Sequence, residues 1–542
     1  MSNVSDFLIE RLENLGVRHV FGIPGDYILD FYSELWENDN IEVINTTDEN
    51  HAGFAADAYA RMNGVGCVCV TYSVGALKVT NAVACAYAER SPLVVISGSP
   101  GMKERENDML LHHIVGSFNC QKEIFEKITC ASVVLDNPVR AGYEIDRVFE
   151  ALNYYKQPVY IELPRDVAKK SISYDVYKLG TPQSPETDIE NLNEALEEVS
   201  EWVKSAKNPV ILAGVEVARY GLGEKLIKFA EKNNIPVATT LLSKSVINEC
   251  HPLFSGIYMG ISSSEKTRKL IEKSDCLLMF GVMLTDMTLC FMPSSFKKRR
   301  VISCSVESLK VKNHTFTDIR FQDFCEKLFK LELIKSPKIK FVKNEKKVSF
   351  RPKNVKMTVK RLFDKINSIL DKDMAIVADI GDALFGSSEL IVHHRNHFLS
   401  PAFYTSMGSA IPGALGVQTA MPDVRPIVIL GDGAFQMAAT ELGTIANRGL
   451  NPIIFILNNK GYTTERHLKD GGFNDIFEWN YHAIPELFGR GKGFLVNTEM
   501  ELEEAVDYAI ESKEFSIVNV VLDKADVTPA LLRMTESLSK RL

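Results

Sequence analysis

A chain of 542 residues, 45% apolar and 24% charged, is too long for one hydrophobic core, so several domains of ordinary globular composition are expected. A net charge of −8 and a pI near 5.9 argue against a phosphate-backbone partner, and no nucleic acid is expected as ligand. The N-terminus lacks the order of a signal peptide, no apolar run is long enough to span a membrane, and none of the ten cysteines forms a Cys-x-x-Cys pair, so reduced thiols in a cytoplasmic protein are expected.

Along the chain, short apolar runs alternate with segments of helical period. A strand-like stretch at 20–24 leads into Gly25-Asp26-Tyr27, and another at 42–44 leads into Asn45-Thr46-Thr47-Asp48-Glu49-Asn50 and a helix rich in small residues at 52–61. Strands are predicted at 67–72, 93–97 and 159–163, with Leu110-Leu111-His112-His113 between the last two. A turn-rich polar stretch at 179–187 precedes a helix whose stripe is Leu192, Ala195, Leu196, Val199, Val203 and Ala206, stopped at Asn208-Pro209. Further strands follow at 210–213, 276–280 and 301–304, and then a lysine-dense stretch at 335–347 reads as a solvated linker. The last third holds strands at 375–378, 427–430, 453–457 and 517–522. These runs are continuous rather than alternating, as parallel strands covered on both faces require. The fold class is therefore α/β, with parallel sheets flanked by helices, in three domains at 1–180, 181–340 and 341–542.

The most informative segment is 427–465. Its first strand turns through Gly431-Asp432-Gly433, a helical stretch at 438–446 follows, and the second strand ends in Asn458-Asn459-Lys460-Gly461. Asp432 and Asn459 thus close successive strands of one βαβ unit, at the sheet edge where ligands bind. A carboxylate, an amide carbonyl and a backbone carbonyl are hard oxygen donors suited to Mg²⁺ with phosphate co-ligands. The glycines let the backbone approach those phosphates, and the following helix points N–H groups at them. Each loop alone reads as a tight turn. Their pairing on flanking strands is far more specific.

Gly431-Asp432-Gly433 followed by Asn458-Asn459 resembles the signature of thiamine-diphosphate-dependent enzymes. Asp26, His112, His113 and Glu465 further resemble the active-site set of the 2-oxo acid decarboxylases, the pyruvate, indolepyruvate and branched-chain group. The likeness runs over essentially the whole chain and implies a three-domain fold with pyrimidine-binding, central and diphosphate-binding domains. It implies thiamine diphosphate and Mg²⁺ as cofactors, with the metal held by Asp432, Asn459 and the Gly461 carbonyl. Glu49 would activate the cofactor through its aminopyrimidine, and Gly381, Asp382, Thr405, Met407, Gly431, Gly433, Ala434 and Tyr462 would complete the cofactor site. Met407 would buttress the cofactor's bend. Thr405 replaces the glycine often found there, and tolerance is expected because that position acts through its carbonyl. Acids and imidazoles are the groups that move protons near neutral pH, the task implied for Asp26, His112, His113 and Glu465. Met287, Ala383, Leu384 and Thr464 would line the substrate pocket.

The reaction so implied is non-oxidative decarboxylation of a small-molecule 2-oxo acid to an aldehyde and CO₂. Aliphatic Met287 and Leu384 stand where pyruvate-specific relatives carry large aromatic groups, so branched-chain, longer aliphatic or aromatic substrates are expected. The resemblance also implies a homodimer as the minimal active unit, within a homotetramer. Two alternatives stand beside this reading: a carboligase of the acetohydroxyacid synthase type, disfavoured by His112-His113, and a non-catalytic homologue, disfavoured by the presence of Glu49, Asp26 and Glu465.

Overall fold

Runs such as Ile427 to Leu430 contain no residue that gains from facing water, and a strand buried on both faces is the arrangement that hides all of them. The computed structural model describes residues 3–106, 109–172, 184–290, 300–334 and 349–539. Within them three sheets form. The first comprises β1 (His19–Gly22), β2 (Glu42–Asn45), β3 (Gly66–Val70), β4 (Leu93–Ser99), β5 (Ala131–Val134) and β6 (Val159–Pro164), in the order β2-β1-β3-β4-β6-β5 and parallel throughout. The second comprises β7 (Pro209–Ala213), β8 (Val237–Thr240), β9 (Phe254–Tyr258), β10 (Cys276–Phe280), β11 (Arg300–Cys304), β12 (Leu309–Val311) and β13 (His314–Phe316). Its order is β13-β12-β11-β10-β7-β8-β9, parallel except for the antiparallel β11-β12-β13 edge. The third comprises β14 (Met374–Ala378), β15 (Phe398–Leu399), β16 (Arg425–Gly431), β17 (Ile453–Asn458), β18 (Lys492–Val496) and β19 (Ser516–Val521), ordered β15-β14-β16-β17-β19-β18 and all parallel.

The α/β architecture with helix-flanked parallel sheets agrees with the sequence. The predicted amphipathic stripe lies on the helix Ile189–Ser205, where Leu192, Ala195, Val199 and Val203 are buried and Asp188 caps the start by accepting the Asn191 N–H at 2.9 Å. The ten cysteines are free, eight of them buried. Among the described residues no helix is long and apolar enough to cross a membrane. The lysine-dense stretch at 335–347, and the turn-rich one up to 183, lie outside the described residues.

The residues cluster into two compact units. One contains Met1–Ser184 together with Ile411–Asp423 and Ala438–Leu450, and the other contains Pro185–Ala410, Val424–Met437 and Asn451–Leu542. In the first unit, close packing explains the small-residue helix Glu49–Asn63. A Cβ on Gly53 would lie 2.6 Å from the side chains of Ala82 and Val79, and one on Gly416 would lie 2.1 Å from the Ala55 carbonyl oxygen.

One predicted element differs. Instead of a single helix at 438–446, a helix Asp432–Ala438 starts directly after β16, breaks at Ala438 (φ −133°), and resumes as a 3₁₀ turn, Ala439–Glu441, and a short helix, Leu442–Asn447. The sequence through the break favours helix, but the buried Glu441 carboxylate just beyond it accepts the Thr47 N–H at 3.1 Å and the Thr47 hydroxyl at 2.7 Å, and tertiary bonds of this kind outweigh propensity.

Candidate active site

Strands β14, β16 and β17 are neighbours, and their C-terminal ends carry Gly381-Asp382, Gly431-Asp432-Gly433 and Asn459 to Gly461. Because the strands are parallel, all three loops leave the sheet at one edge. There they line a cavity of about 460 Å³. Every residue expected from the sequence to hold cofactor or metal in this part of the chain lines it: Gly381, Asp382, Thr405, Met407, Gly431, Asp432, Gly433, Ala434, Asn459, Gly461 and Tyr462. Met287, Ala383, Leu384, Thr464 and Glu465 share the same cavity.

The Asp432 carboxylate is 1% exposed and accepts the Gly433 N–H at 2.8 Å and the Gly461 N–H at 3.2 Å. Burial pushes its pKa up to about 6, against the opposing pull of those backbone N–H groups. Asn459 is also buried, and its Oδ1 has no hydrogen-bond partner among the described residues. An orphaned buried carbonyl beside a buried carboxylate is costly unless something electropositive completes it. Gly431 does not take the left-handed backbone, and a Cβ there would meet nothing within 4 Å, so packing among the described residues does not demand glycine; the residue lines the cavity. Gly461 differs: at φ +149° a Cβ would lie 2.0 Å from the Asn474 carbonyl oxygen. Thr405 adopts φ +55°, a region that glycine occupies freely and a β-branched residue strains to reach, so its replacement of glycine carries a conformational cost that the expected tolerance did not include.

Two further acids shape this cavity. Asp382 is spent on the C-terminal segment, accepting the Thr528 N–H at 3.0 Å and the Thr528 hydroxyl. Burial lifts its pKa to about 7; the Thr528 bonds oppose this, and the Asp526 and Glu389 charges add to it. Asp379, fully buried, accepts N–H bonds from Ile380, Gly408 and Ala410, and so fixes the loop behind Thr405 and Met407. Sequence reading did not single out Asp379, Phe385 or Met534; an acid closing the apolar run at 375–378 was the available signal for the first.

The remaining expected residues belong to the other unit. Asp26, His112 and His113 come together, with their carboxylate and ring-nitrogen atoms within 4.8 Å of one another. His112 Nε2 lies 2.8 Å from Asp26 Oδ2, its Nδ1 3.3 Å from the Tyr27 hydroxyl, and its ring stacks on Tyr27 at 4.7 Å. His113 meets His112 edge-on at 4.6 Å, and its buried Nδ1 has no partner among the described residues. Asp26 and His112 are exposed, His113 half-buried. Glu49 opens the helix Glu49–Asn63 behind the N-cap Asp48, and is buried rather than solvated as an ordinary helix-start acid would be. Its Oε2 is 2.9 Å from the Lys78 ammonium.

Comparison with known proteins gives three consecutive family matches: the thiamine pyrophosphate enzyme N-terminal TPP-binding domain over residues 2–121, the central domain over 196–329 and the C-terminal TPP-binding domain over 379–520. Indole-3-pyruvate decarboxylase of Azospirillum brasilense is 30% identical over 550 residues, covering 99% of this chain and 98% of that protein. Alpha-keto-acid decarboxylase of Mycobacterium tuberculosis is 31% identical over 551 residues, covering 99% and 97%.

Proposed function

The chain belongs to the thiamine-diphosphate-dependent 2-oxo acid decarboxylase family, and from that premise we propose that it removes CO₂ from a 2-oxo acid and releases the aldehyde. The observation that carries the reading is the Asn459 Oδ1, without a partner among the described residues, beside the buried Asp432 carboxylate, in a cavity whose glycine at 431 leaves open space. This donor set fits Mg²⁺ and a diphosphate: Asp432, Asn459 and the Gly461 carbonyl would hold the metal, and the loop from Gly431 to Ala434 with Tyr462 would take the phosphate side.

Thiamine diphosphate, when bound, supplies a thiazolium that accepts the electron pair left as CO₂ departs. The protein's part is orientation and proton transfer. By the family resemblance, Glu49 would hold a proton at the ring nitrogen of the aminopyrimidine, and Gly381 and the Thr405 carbonyl would be the groups that receive that ring. Met407, which lines the cavity, would support the cofactor. Asp26, His112, His113 and Glu465 orient the substrate carboxylate and deliver a proton to the carbon it leaves. The apolar wall of Ala383, Leu384, Phe385 and Met534 excludes water from the reacting carbon. Because the family resemblance implies sites shared between chains, a homodimer is the proposed working unit, with a homotetramer built on it. Domain limits at 1–180, 181–340 and 341–542 are supported by the spans of the three sheets. Ten free cysteines support a reducing, cytoplasmic setting.

For the substrate, the aliphatic side chains of Met287 and Leu384 support branched-chain, longer aliphatic or aromatic 2-oxo acids over pyruvate. The deciding assay compares pyruvate, 3-methyl-2-oxobutanoate, phenylpyruvate and indolepyruvate, with and without thiamine diphosphate and Mg²⁺, reading aldehyde through a coupled alcohol dehydrogenase. Cofactor-dependent aldehyde release with larger kcat/KM for the bulkier acids is expected. A strong pyruvate preference would overturn the substrate assignment, and acetohydroxy acids in place of aldehyde would overturn the reaction.

A further inference from the structure

Lys78 stands in the first turn of the helix Ala76–Ala88, where the helix dipole disfavours a cation, so nothing local recommends a lysine there. Its ammonium instead reaches across to the start of the helix Glu49–Asn63, touching the Asp48 carboxylate and lying 2.9 Å from Glu49 Oε2. Asp48 cannot move away, because its Oδ1 caps that helix through the Asn50 N–H at 2.8 Å. Two adjacent carboxylates are thereby fixed at one helix start, one held by its cap and the other at the end of a side chain with three rotatable bonds. The bonds to Asp48 and Glu49 raise the pKa of Lys78, so it stays charged at physiological pH. The second Glu49 oxygen, Oε1, lies on the side of Gly75, at 3.3 Å from where a Cβ would stand, and the missing side chain keeps that approach clear.

We propose that Lys78 is a positioning residue for Glu49: its ammonium screens Asp48 and grips Oε2, leaving Oε1 aimed at the aminopyrimidine. The proposal rests on the role given to Glu49 above. Without the ammonium, like-charge repulsion and side-chain freedom would both have to be overcome when the cofactor docks.

The test uses the full-length chain with saturating Mg²⁺, measuring thiamine diphosphate affinity by titration calorimetry and the near-ultraviolet circular dichroism of the bound aminopyrimidine. K78M is expected to weaken binding about tenfold and diminish the dichroic band, with its melting temperature almost unchanged because Lys78 is half exposed. K78R should stay within about threefold of the parent, and D48N/K78M, which keeps a capping side chain but removes the repulsion, should regain most of the loss. K78M binding within about twofold with an unaltered band would overturn the proposal, as would a double variant no better than K78M. E49Q separates the two levels. A lost band in E49Q beside a normal K78M removes Lys78 alone, whereas an unaltered band in E49Q removes the role of Glu49 and this proposal together.

Discussion

In the second unit the candidate residues lie at the ends of three adjacent buried strands, with Asp432 and Asn459 buried, the Asp432 carboxylate bonded to backbone N–H groups and the Asn459 Oδ1 without a partner among the described residues. In the first unit Asp26 and His112 are exposed and depend on one another and on Tyr27 for orientation. The difference fits the tasks proposed for each. A site that grips a metal and a diphosphate gains from rigidity and from unsatisfied buried oxygen, because the ligand repays both. Groups that pass protons must meet solvent or substrate in turn, which exposure allows. One half should therefore fail in binding when altered, and the other in turnover.

The largest expected effect tests the buried half. D432A should lose thiamine diphosphate and Mg²⁺ retention by ~100-fold or more, and chelation of the parent should reproduce the loss reversibly, both read by cofactor titration and coupled aldehyde assay. A D432A chain that binds normally would break the contrast at its stronger end. Next, H112F and H113F should each lower kcat by about 10²–10⁴ while cofactor affinity stays within about twofold; a matching loss of affinity would merge the two halves.

A smaller effect concerns pH. The folded-state pKa of Asp382 is raised by burial from 3.8 to about 7, so the folded chain holds this proton more tightly than the unfolded one. Its contribution to stability is complete below pH ~4 and is lost as pH rises through about 7. Melting curves of the cofactor-free parent should fall across that window relative to D382N, and parallel curves would contradict the assignment. The smallest effect is at Thr405: T405G relieves the positive φ and should raise the melting temperature by about 1–2 °C, with decarboxylation retained.

What the sequence made legible is whatever depends on neighbours in the chain. Four consecutive apolar residues before Gly431 announce a central parallel strand, and the loops that follow β16 and β17 carry their own donors. The edge strand β2 was read at 42–44, but other edge elements were not legible: β18 reads Lys-Gly-Phe-Leu-Val and is half exposed, β12 and β13 have three residues each, and β15 has two. None buries enough to require an apolar run. Among site residues, Asp379, Thr528, Glu441 and Lys78 escaped notice because each acts on a partner distant in sequence. Thr528 lies 146 positions from Asp382, and Glu441 lies 394 from Thr47. Propensity and spacing carry no trace of such pairs.

The make-up of the first unit bears on how this protein can be made. Its helix Glu49–Asn63 packs against Gly416, and the loop before that helix is tied to Glu441, on segments that emerge from the ribosome only after about three quarters of the chain has been synthesised. The opening 184 residues would therefore leave the ribosome with a bare helix flank and a Thr47 N–H still lacking the Glu441 carboxylate, waiting for late-arriving partners. Expression of that portion by itself should give an aggregation-prone product, and co-expression with the rest of the chain is the route by which a split version could assemble.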